Sequence, residues 1–195
     1  DKQAHKVTYK CLNGADREQT DLNGYSRRVE QFNKDGQLVS ERYYDVTGNP
    51  IEAYNGVHET RRQTDGQGRI QRQTTHNTSG SPVINKNTGC AGHDWVHFEN
   101  GLIESEMCLG TGFRSESNHR GIEGTSHEYN HRGCLIAKRY TDGQSNPTEL
   151  PTGIASERYA VDSYCDILAL EVFGRNGEAV DHPIHQAHQT VWERN

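Results

Sequence analysis

Glycine returns in this sequence at an interval of about 32 residues, and this interval constrains the fold more than any other feature. One column of glycines, spaced 32 or 33 residues apart, holds Gly24, Gly56, Gly89, Gly121 and Gly153. A second column lies twelve residues after each of these, at Gly36, Gly68, Gly101, Gly133 and finally Cys165. A third lies near twelve residues further on, at Gly48, Gly80, Gly112, Ser145 and Gly177. Such spacing predicts an array built from one supersecondary unit.

The columns divide the chain into repeats of one domain, 1–195. Five repeats span 22–54, 55–88, 89–120, 121–152 and 153–184, and partial repeats span 1–21 and 185–195. The third repeat is the most degenerate, since its second strand is about one residue short. Incomplete terminal repeats are expected of caps, or of a domain cut from a longer array.

Each repeat has the pattern of a β-hairpin. Asn-Gly and Asp-Gly pairs such as Asn100-Gly101 and Asp142-Gly143 recur between segments rich in Val, Ile, Thr, Tyr and Phe, and these pairs signal hairpin turns. We therefore predict an all-β fold, an array of about five 32-residue antiparallel β-hairpin repeats that forms a twisted sheet or a short solenoid. Local propensity would also allow a short helix over 162–173, but the register of the repeats favours a strand there.

Composition limits both the core and the partners. Only 31% of the 195 residues are hydrophobic and the mean hydropathy is -0.99, so each repeat is expected to bury a narrow apolar line against its neighbours. The net charge is -6, without a block of like charge. This argues against nucleic acid or an anionic membrane as the main partner, because both need a basic patch. No segment approaches the roughly 20 apolar residues of a membrane span, so membrane insertion is not expected.

Two runs carry a resemblance to a known class of repeats. The run Tyr43–Gly48 (YYDVTG) and the run Tyr140–Gly143 (YTDG) each place an aromatic residue before an aspartate and a glycine. This pattern resembles the YD (RHS-type) repeats of bacterial secreted proteins, is similar to MORN-like hairpin arrays, and covers most of residues 22–184. The resemblance implies a hairpin array. Long YD arrays spiral into a shell around cargo, but five repeats are too few for a shell, and no catalytic residues carry over.

Aromatic residues are the leading candidates for a binding surface. We predict that Tyr43, Tyr44, Trp95, Tyr140 and Tyr159 contribute to it, because Tyr and Trp combine a large contact area with a polar group and dominate interface hot spots. About half of the aromatic residues are expected to serve only as core between stacked hairpins. Edge strands offer a second mode, in which a partner strand extends the sheet.

Histidines are the candidates for a metal site. His182, His185 and His188 lie three residues apart near the C-terminus, and imidazoles suit zinc, so a zinc ion is the one cofactor considered. The alternative is a polar linker that is rich in histidine, because a spacing of three does not place all three on one face of a strand. His127 and His131 fit one strand face, although this pair runs into a turn.

The five cysteines match no zinc motif. Cys90 and Cys108 flank the Asn100-Gly101 turn, and Cys134 and Cys165 lie 31 residues apart, almost one repeat, so stacked repeats could join them. Disulfides and reduced core cysteines both stay open. The odd count leaves at least one thiol free or available to a partner chain.

These observations favour a non-enzymatic repeat module that binds another protein. The expected setting is an exported bacterial protein, periplasmic or secreted, in an immunity or inhibitor, adhesin-like or toxin-assembly role. Carbohydrate or cell-wall binding through exposed aromatic residues is one alternative. A metal-dependent enzyme that uses the C-terminal histidines is another, so enzymatic activity stays open, although no catalytic constellation is visible.

Overall fold

A computed structural model describes residues 5–192 of the chain, and the predicted all-β hairpin array is confirmed there. The outer ends of the two partial repeats, 1–4 and 193–195, lie outside the described residues. The strands lie between the glycine-containing turns. Residues 5–192 contain twelve strands: β1 (Lys6–Lys10), β2 (Arg27–Phe32), β3 (Leu38–Tyr44), β4 (Glu59–Thr64), β5 (Ile70–His76), β6 (Gly92–His97), β7 (Ile103–Leu109), β8 (Gly124–Tyr129), β9 (Leu135–Thr141), β10 (Ser156–Val161), β11 (Ile167–Phe173) and β12 (Gln189–Val191).

The chain forms two compact units. The N-terminal unit comprises 5–94 with Leu109–Arg114, and the C-terminal unit comprises Trp95–Cys108 with 115–192. In the N-terminal unit β1 to β5 pair antiparallel in chain order, and β5 pairs with the first residues of β6. In the C-terminal unit β7 to β12 pair antiparallel in chain order. Each unit is therefore a meander of hairpins.

The turns share one hydrogen-bonding frame, seen at Asn33. Its side-chain oxygen accepts the backbone N–H groups of Asp35 and Gln37, both at 3.0 Å, and its carbonyl oxygen accepts the N–H of Gly36 at 3.1 Å. Gly36 has a φ of 80°, the left-handed conformation that glycine adopts without strain. The side-chain part of the frame recurs at Asp45, Asp65, Asn77, Asn118, Asn130, Asp142 and Asp162.

This frame differs from the two-residue turn that Asn-Gly and Asp-Gly pairs most often form in hairpins. In the turn that starts at Asp142, the left-handed residue is Ser145 with a φ of 65°, and Gly143 lies outside that conformation. A two-residue type I′ turn would need positive φ at both central residues. The hairpins instead use a longer connection with one left-handed residue, and the register shifts beside it, as at Gln31 and Phe32. The glycine columns thus mark the left-handed positions except at Gly112, where Phe113 is left-handed, whereas the dipeptide glycines Gly14, Gly66 and Gly143 lie outside that conformation.

A proline follows the second strand of three hairpins. Pro50, Pro82 and Pro147 form single bridges to the last residues of β3, β5 and β9. Because proline lacks an N–H group, the ladder cannot continue through these positions. The segment 162–173 forms a turn followed by β11, so the strand prediction is confirmed over the helical alternative. Among the described residues no helix is long and apolar enough to cross a membrane.

Candidate binding surfaces

The repeat places a tyrosine at the same hairpin position in both units. Tyr43 and Tyr140 each lie seven residues after the turn glycine of their hairpin, Gly36 and Gly133. The Tyr43 hydroxyl donates a hydrogen bond to Glu41, and the Tyr140 hydroxyl donates one to Glu157. Burial, followed by the carboxylate, raises the pKa of both tyrosines well above the ordinary value, so both phenols stay protonated.

Tyr43 lines a cleft in the N-terminal unit. The cleft has a volume of about 290 Å³ and is lined by Leu22, Asn23, Tyr25, Tyr43, Ala53, Tyr54, Asn55 and Asn87. The rings of Tyr43 and Tyr25 pack together with centroids 4.6 Å apart. Tyrosine rings and amide groups therefore dominate the walls.

Stacked turns of successive repeats build the mouth of this cleft. The N–H of Tyr54 donates to the carbonyl of Asn23 at 2.9 Å, and the N–H of Lys86 donates to the carbonyl of Asn55 at 2.9 Å. Leu22 is 96% exposed and Tyr54 is 71% exposed. A Cβ atom on Gly24 would lie 2.6 Å from the Tyr54 ring, so only glycine lets this ring pack over the preceding turn.

Charged side chains run along the sheet face that carries Tyr43. Arg28 lies over the Tyr9 ring at 4.5 Å and pairs with Glu30 at 3.1 Å, and Arg62 lies 4.0 Å from Glu41. Two arginines thus offset two glutamates on this face. Tyr44 points to the opposite face, since successive strand residues alternate, and its ring meets His58 edge to face at 5.6 Å. The structure therefore places Tyr43, and not Tyr44, in the cleft.

The other three predicted aromatic residues lie in the C-terminal unit. A pocket of about 210 Å³ is lined by Glu106, Asn118, Arg120, Ile122, Thr125, His127, Lys138 and Tyr140. Tyr140 is buried, and its partner Glu157 also accepts the hydroxyl of Tyr159. The Trp95 Nε1–H donates to Glu106 at 3.1 Å. Trp95, Tyr140 and Tyr159 are thus connected to one pocket through two carboxylates.

Two of the three C-terminal histidines, His182 and His185, lie close together, and His188 contacts a different part of the chain. The rings of His182 and His185 have centroids 4.8 Å apart, and His185 meets the Trp192 ring edge to face at 6.2 Å. The Nδ1 atom of His188 lies 2.8 Å from the carbonyl oxygen of Val172. Within residues 5–192 no group of three His, Cys, Asp or Glu side chains is placed to hold a metal ion. A zinc site at these histidines stays a prediction.

Four of the five cysteines are disulfide-bonded. Cys134 and Cys165 form the bond that their spacing allowed, with Cα atoms 5.1 Å apart. Cys90 and Cys108 are also disulfide-bonded. Cys11 is a free thiol, and burial raises its pKa.

Sequence reasoning missed several residues of both surfaces. Tyr54, at the mouth of the cleft, and Arg120 and Lys138, in the pocket, were not among the candidates. A signal for the cleft was present, because Asn23 and Asn55 both precede a glycine of the first column. The order in which the repeats stack then brings these turns together.

No protein-family model matches this sequence, and no curated protein matches it. Solved structures with similar geometry include a Photorhabdus luminescens Tc holotoxin pore, at 12% identity and a TM-score of 0.43. They also include TcdB2-TccC3 without its hypervariable C-terminal region, at 14% identity and a TM-score of 0.44. A third is the TcdB2-TccC3-Cdc42 complex, at 15% identity and a TM-score of 0.43. Each match covers 94% of this chain but only 9% or 10% of the other. At such identities and TM-scores the likeness assigns neither a family nor a function.

Proposed function

We propose that this chain is a non-enzymatic repeat module of an exported bacterial protein, and that it binds another protein through the cleft of the N-terminal unit. The observation that carries the proposal is the exposure of Tyr54 (71%) and Leu22 (96%) at the mouth of a tyrosine-lined cleft. Exposed apolar side chains grouped beside a pocket are typical of protein interaction sites, and tyrosine is enriched among hot spots.

The lining of the cleft defines the partner chemistry. Tyr25 and Tyr43 offer ring surface, and Asn23, Asn55 and Asn87 offer amide groups. A partner side chain with an apolar body and a polar end, such as tyrosine, suits this combination. Leu22 and Tyr54 would then cover the rim and exclude water from the contact.

Disulfide bonding supports the exported setting. Cys134 and Cys165 are joined, and Cys90 and Cys108 are also oxidised. Such bonds persist in the periplasm or outside the cell and are rare in the reducing cytosol. Immunity or inhibitor, adhesin-like and toxin-assembly roles all agree with a disulfide-bonded binding module.

The test begins with capture of a partner from the secreted and periplasmic fractions of the source organism, followed by calorimetry with the purified partner. Tyr54→Ala is expected to weaken binding about 30-fold, the loss typical of a hot spot. Tyr164→Ala is the matched control, because Tyr164 is also a turn residue and is 82% exposed.

Two outcomes would overturn the proposal. Equal affinity of the Tyr54→Ala and Tyr164→Ala variants would show that the partner binds elsewhere. Failure to capture any partner from either fraction would remove protein binding itself. Circular dichroism of each variant would establish that a lost affinity is not a lost fold.

Carbohydrate is the second candidate ligand, because the amides of Asn23, Asn55 and Asn87 surround the tyrosine rings of the same cleft. A glycan array and purified cell wall would test it. Binding that Tyr54→Ala abolishes would favour this candidate over a protein partner. Silence of the array and of the cell wall would exclude it.

A further inference from the structure

At two repeat positions the pocket of the C-terminal unit differs in charge from the first repeat of the N-terminal unit, whereas the second repeat carries Arg62 and Gln73 there. Glu30 and His127 both lie six residues after the first-column glycine of their repeat, and Glu41 and Lys138 both lie five residues after the hairpin glycine. The repeat therefore replaces two carboxylates with an imidazole and an ammonium group. No requirement of the hairpin fold explains this change, since both pairs of residues occupy well-formed strands.

The register sets these two side chains against each other. His127 on β8 lies directly opposite Lys138 on β9, and both line the pocket together with Arg120. The guanidinium of Arg120 lies 6.0 Å from the centroid of the Tyr140 ring. Among residues 5–192 neither Lys138 nor Arg120 forms an ion pair, in contrast to the offset arginines of the N-terminal unit. The pocket thus presents two cations and one carboxylate, with neither cation in an ion pair within the described residues.

The imidazole ring of His127 is held in an environment poor in hydrogen-bond acceptors. The Nδ1 atom of His127 is buried and has no hydrogen-bond partner among the described residues. Leaving such a group unpaired costs about 1 to 3 kcal/mol. The one carboxylate that lines the pocket, Glu106, accepts the Nε1–H of Trp95. The lining therefore offers hydrogen-bond donors and positive charge in excess of acceptors.

We propose that this pocket binds an oxyanion, the carboxylate or phosphate group of a small ligand, through Lys138 and Arg120, beside the imidazole ring of His127. Lysine and arginine form strong charge-assisted hydrogen bonds to such oxygens. The pocket volume of about 210 Å³ accommodates one group of this kind and a short attached segment. The site is separate from the cleft proposed for protein binding and does not depend on it.

The charged groups around His127 define a measurable response. Lys138 faces it from β9, Arg120 from the preceding turn and Glu106 from β7, and Glu157 on β10 is held by Tyr140. Without a ligand, burial and then Lys138 lower the pKa of His127 below its ordinary value. A bound anion would offset both effects and raise this pKa.

The test uses inorganic phosphate and succinate as probes, with sodium chloride at matched ionic strength as the reference. Nuclear magnetic resonance of the imidazole groups would report each histidine of the oxidised, full chain. The expected result is a saturable shift at His127, with a raised His127 pKa, for at least one probe. Tighter binding of phosphate or of succinate would identify which oxyanion the pocket prefers.

Variants make the result specific. Lys138→Gln and Arg120→Gln are each expected to weaken binding about tenfold, the effect of losing one charge-assisted bond. Arg139→Gln is the matched control, since Arg139 is the next residue on β9, lies on the opposite face and pairs with Glu128. An adventitious response to salt would appear equally with sodium chloride. Any one of three results would overturn the proposal: an equal response to sodium chloride, unchanged affinity in both pocket variants, or no shift at His127.

Discussion

The two units bury different chemistry within one repeat pattern. In the N-terminal unit nine polar or charged residues are buried: Ser26, Glu30, Ser40, His58, Glu59, Thr60, Thr74, Thr75 and His76. In the C-terminal unit the buried cluster is apolar apart from one hydroxyl and consists of Ile122, Tyr140, Leu150, Ile154 and Val172. The hairpin array therefore does not require a particular core chemistry. Most of the buried polar groups of the N-terminal unit are hydrogen-bonded, which offsets the cost of removing them from water.

The link between neighbouring turns differs in the same way. Gln37 and Cys134 each follow the turn glycine of a hairpin, and Gly68 and Cys165 each hold the left-handed position of the next. In the N-terminal unit Gln37 accepts a hydrogen bond from the Thr64 hydroxyl at 2.8 Å. In the C-terminal unit Cys134 and Cys165 form a covalent bond. One position thus carries a polar link in one unit and a disulfide in the other.

Removal of the covalent link should have the largest effect. The Cys134→Ser, Cys165→Ser double variant frees a segment of 31 residues, and the chain-entropy treatment predicts a loss of about 3 to 4 kcal/mol in the free energy of unfolding. Urea unfolding followed by Trp95 fluorescence would measure this loss. Cys11→Ser is the control, because Cys11 is a free thiol. A loss no greater than that of the control would mean that the disulfide is not a structural link.

The polar link provides the matched variant for the same measurement. Gln37→Ala removes the acceptor of the Thr64 hydroxyl and the contact with Asn33. The expected loss is about 1 kcal/mol, the net contribution of a hydrogen bond at a partly exposed site. A loss equal to that of the cysteine variant would remove the contrast between the two links.

The apolar cluster of the C-terminal unit should be the next most sensitive region. Ile154 is only 2% exposed and packs within this cluster, so Ile154→Ala should lower stability by about 3 kcal/mol. Ile154→Val, which removes one methyl group, should lower it by about 1 kcal/mol. Chemical denaturation of the three proteins gives both differences. Equal effects of the two variants would show that this site relaxes around a cavity.

The polar core of the N-terminal unit should respond to a change that preserves shape. The Thr75 hydroxyl lies 2.6 Å from the carbonyl oxygen of Val83 and 3.0 Å from that of Ala91, and Thr75 is 3% exposed. Thr75→Val leaves these acceptors without that donor, and we expect a loss of about 1 to 2 kcal/mol. Thr20→Val, at an exposed position of the same unit, is the control. Unchanged stability of Thr75→Val would show that the hydroxyl contributes no net free energy.

Mild acid should produce the smallest effect, and both units should contribute. Burial lowers the pKa of His76 in one unit and of His127 in the other below the ordinary value of 6.5. Above pH 6.5 both histidines are neutral in the folded chain and in the unfolded chain, so their contribution to stability does not change with pH. As the pH falls below it, the unfolded chain takes up protons first, so stability declines. Unfolding at a series of pH values would measure how steeply the free energy of unfolding falls with pH, and His76→Gln should make this fall less steep. A free energy of unfolding that increases as the pH falls would contradict the expectation.

The hairpin array followed from sequence because it depends on local geometry. The glycine columns predicted the left-handed turn positions except at Gly112, and even Ser145 and Cys165, which stand in for glycine, adopt positive φ. The aspartate or asparagine at the start of each turn was visible in the sequence but was interpreted through the Asn-Gly and Asp-Gly pairs. The frame at Asn33 shows that a side-chain oxygen, and not the dipeptide, organises the turn.

The binding surfaces could be predicted only in part, because they depend on which face each residue takes and on how turns stack. Tyr43 and Tyr44 are adjacent in sequence, yet the pleat places only Tyr43 in the cleft. Tyr54 reaches the same cleft through a hydrogen bond to a turn one repeat earlier. The charge of Lys138 indicates a binding site only because His127 lies beside it, and the register of two strands places His127 opposite Lys138.

By itself the sequence determined the repeat, the hairpins and the positions of the turns, since these arise from φ preferences and alternation that act within a few residues. The tertiary structure decided which tyrosine faces a cleft, which cysteines form bonds and which charged groups share a pocket. Those outcomes depend on strand register and on the stacking of repeats about 32 residues apart in sequence. A shift of one residue in register would turn every side chain of a strand to the other face.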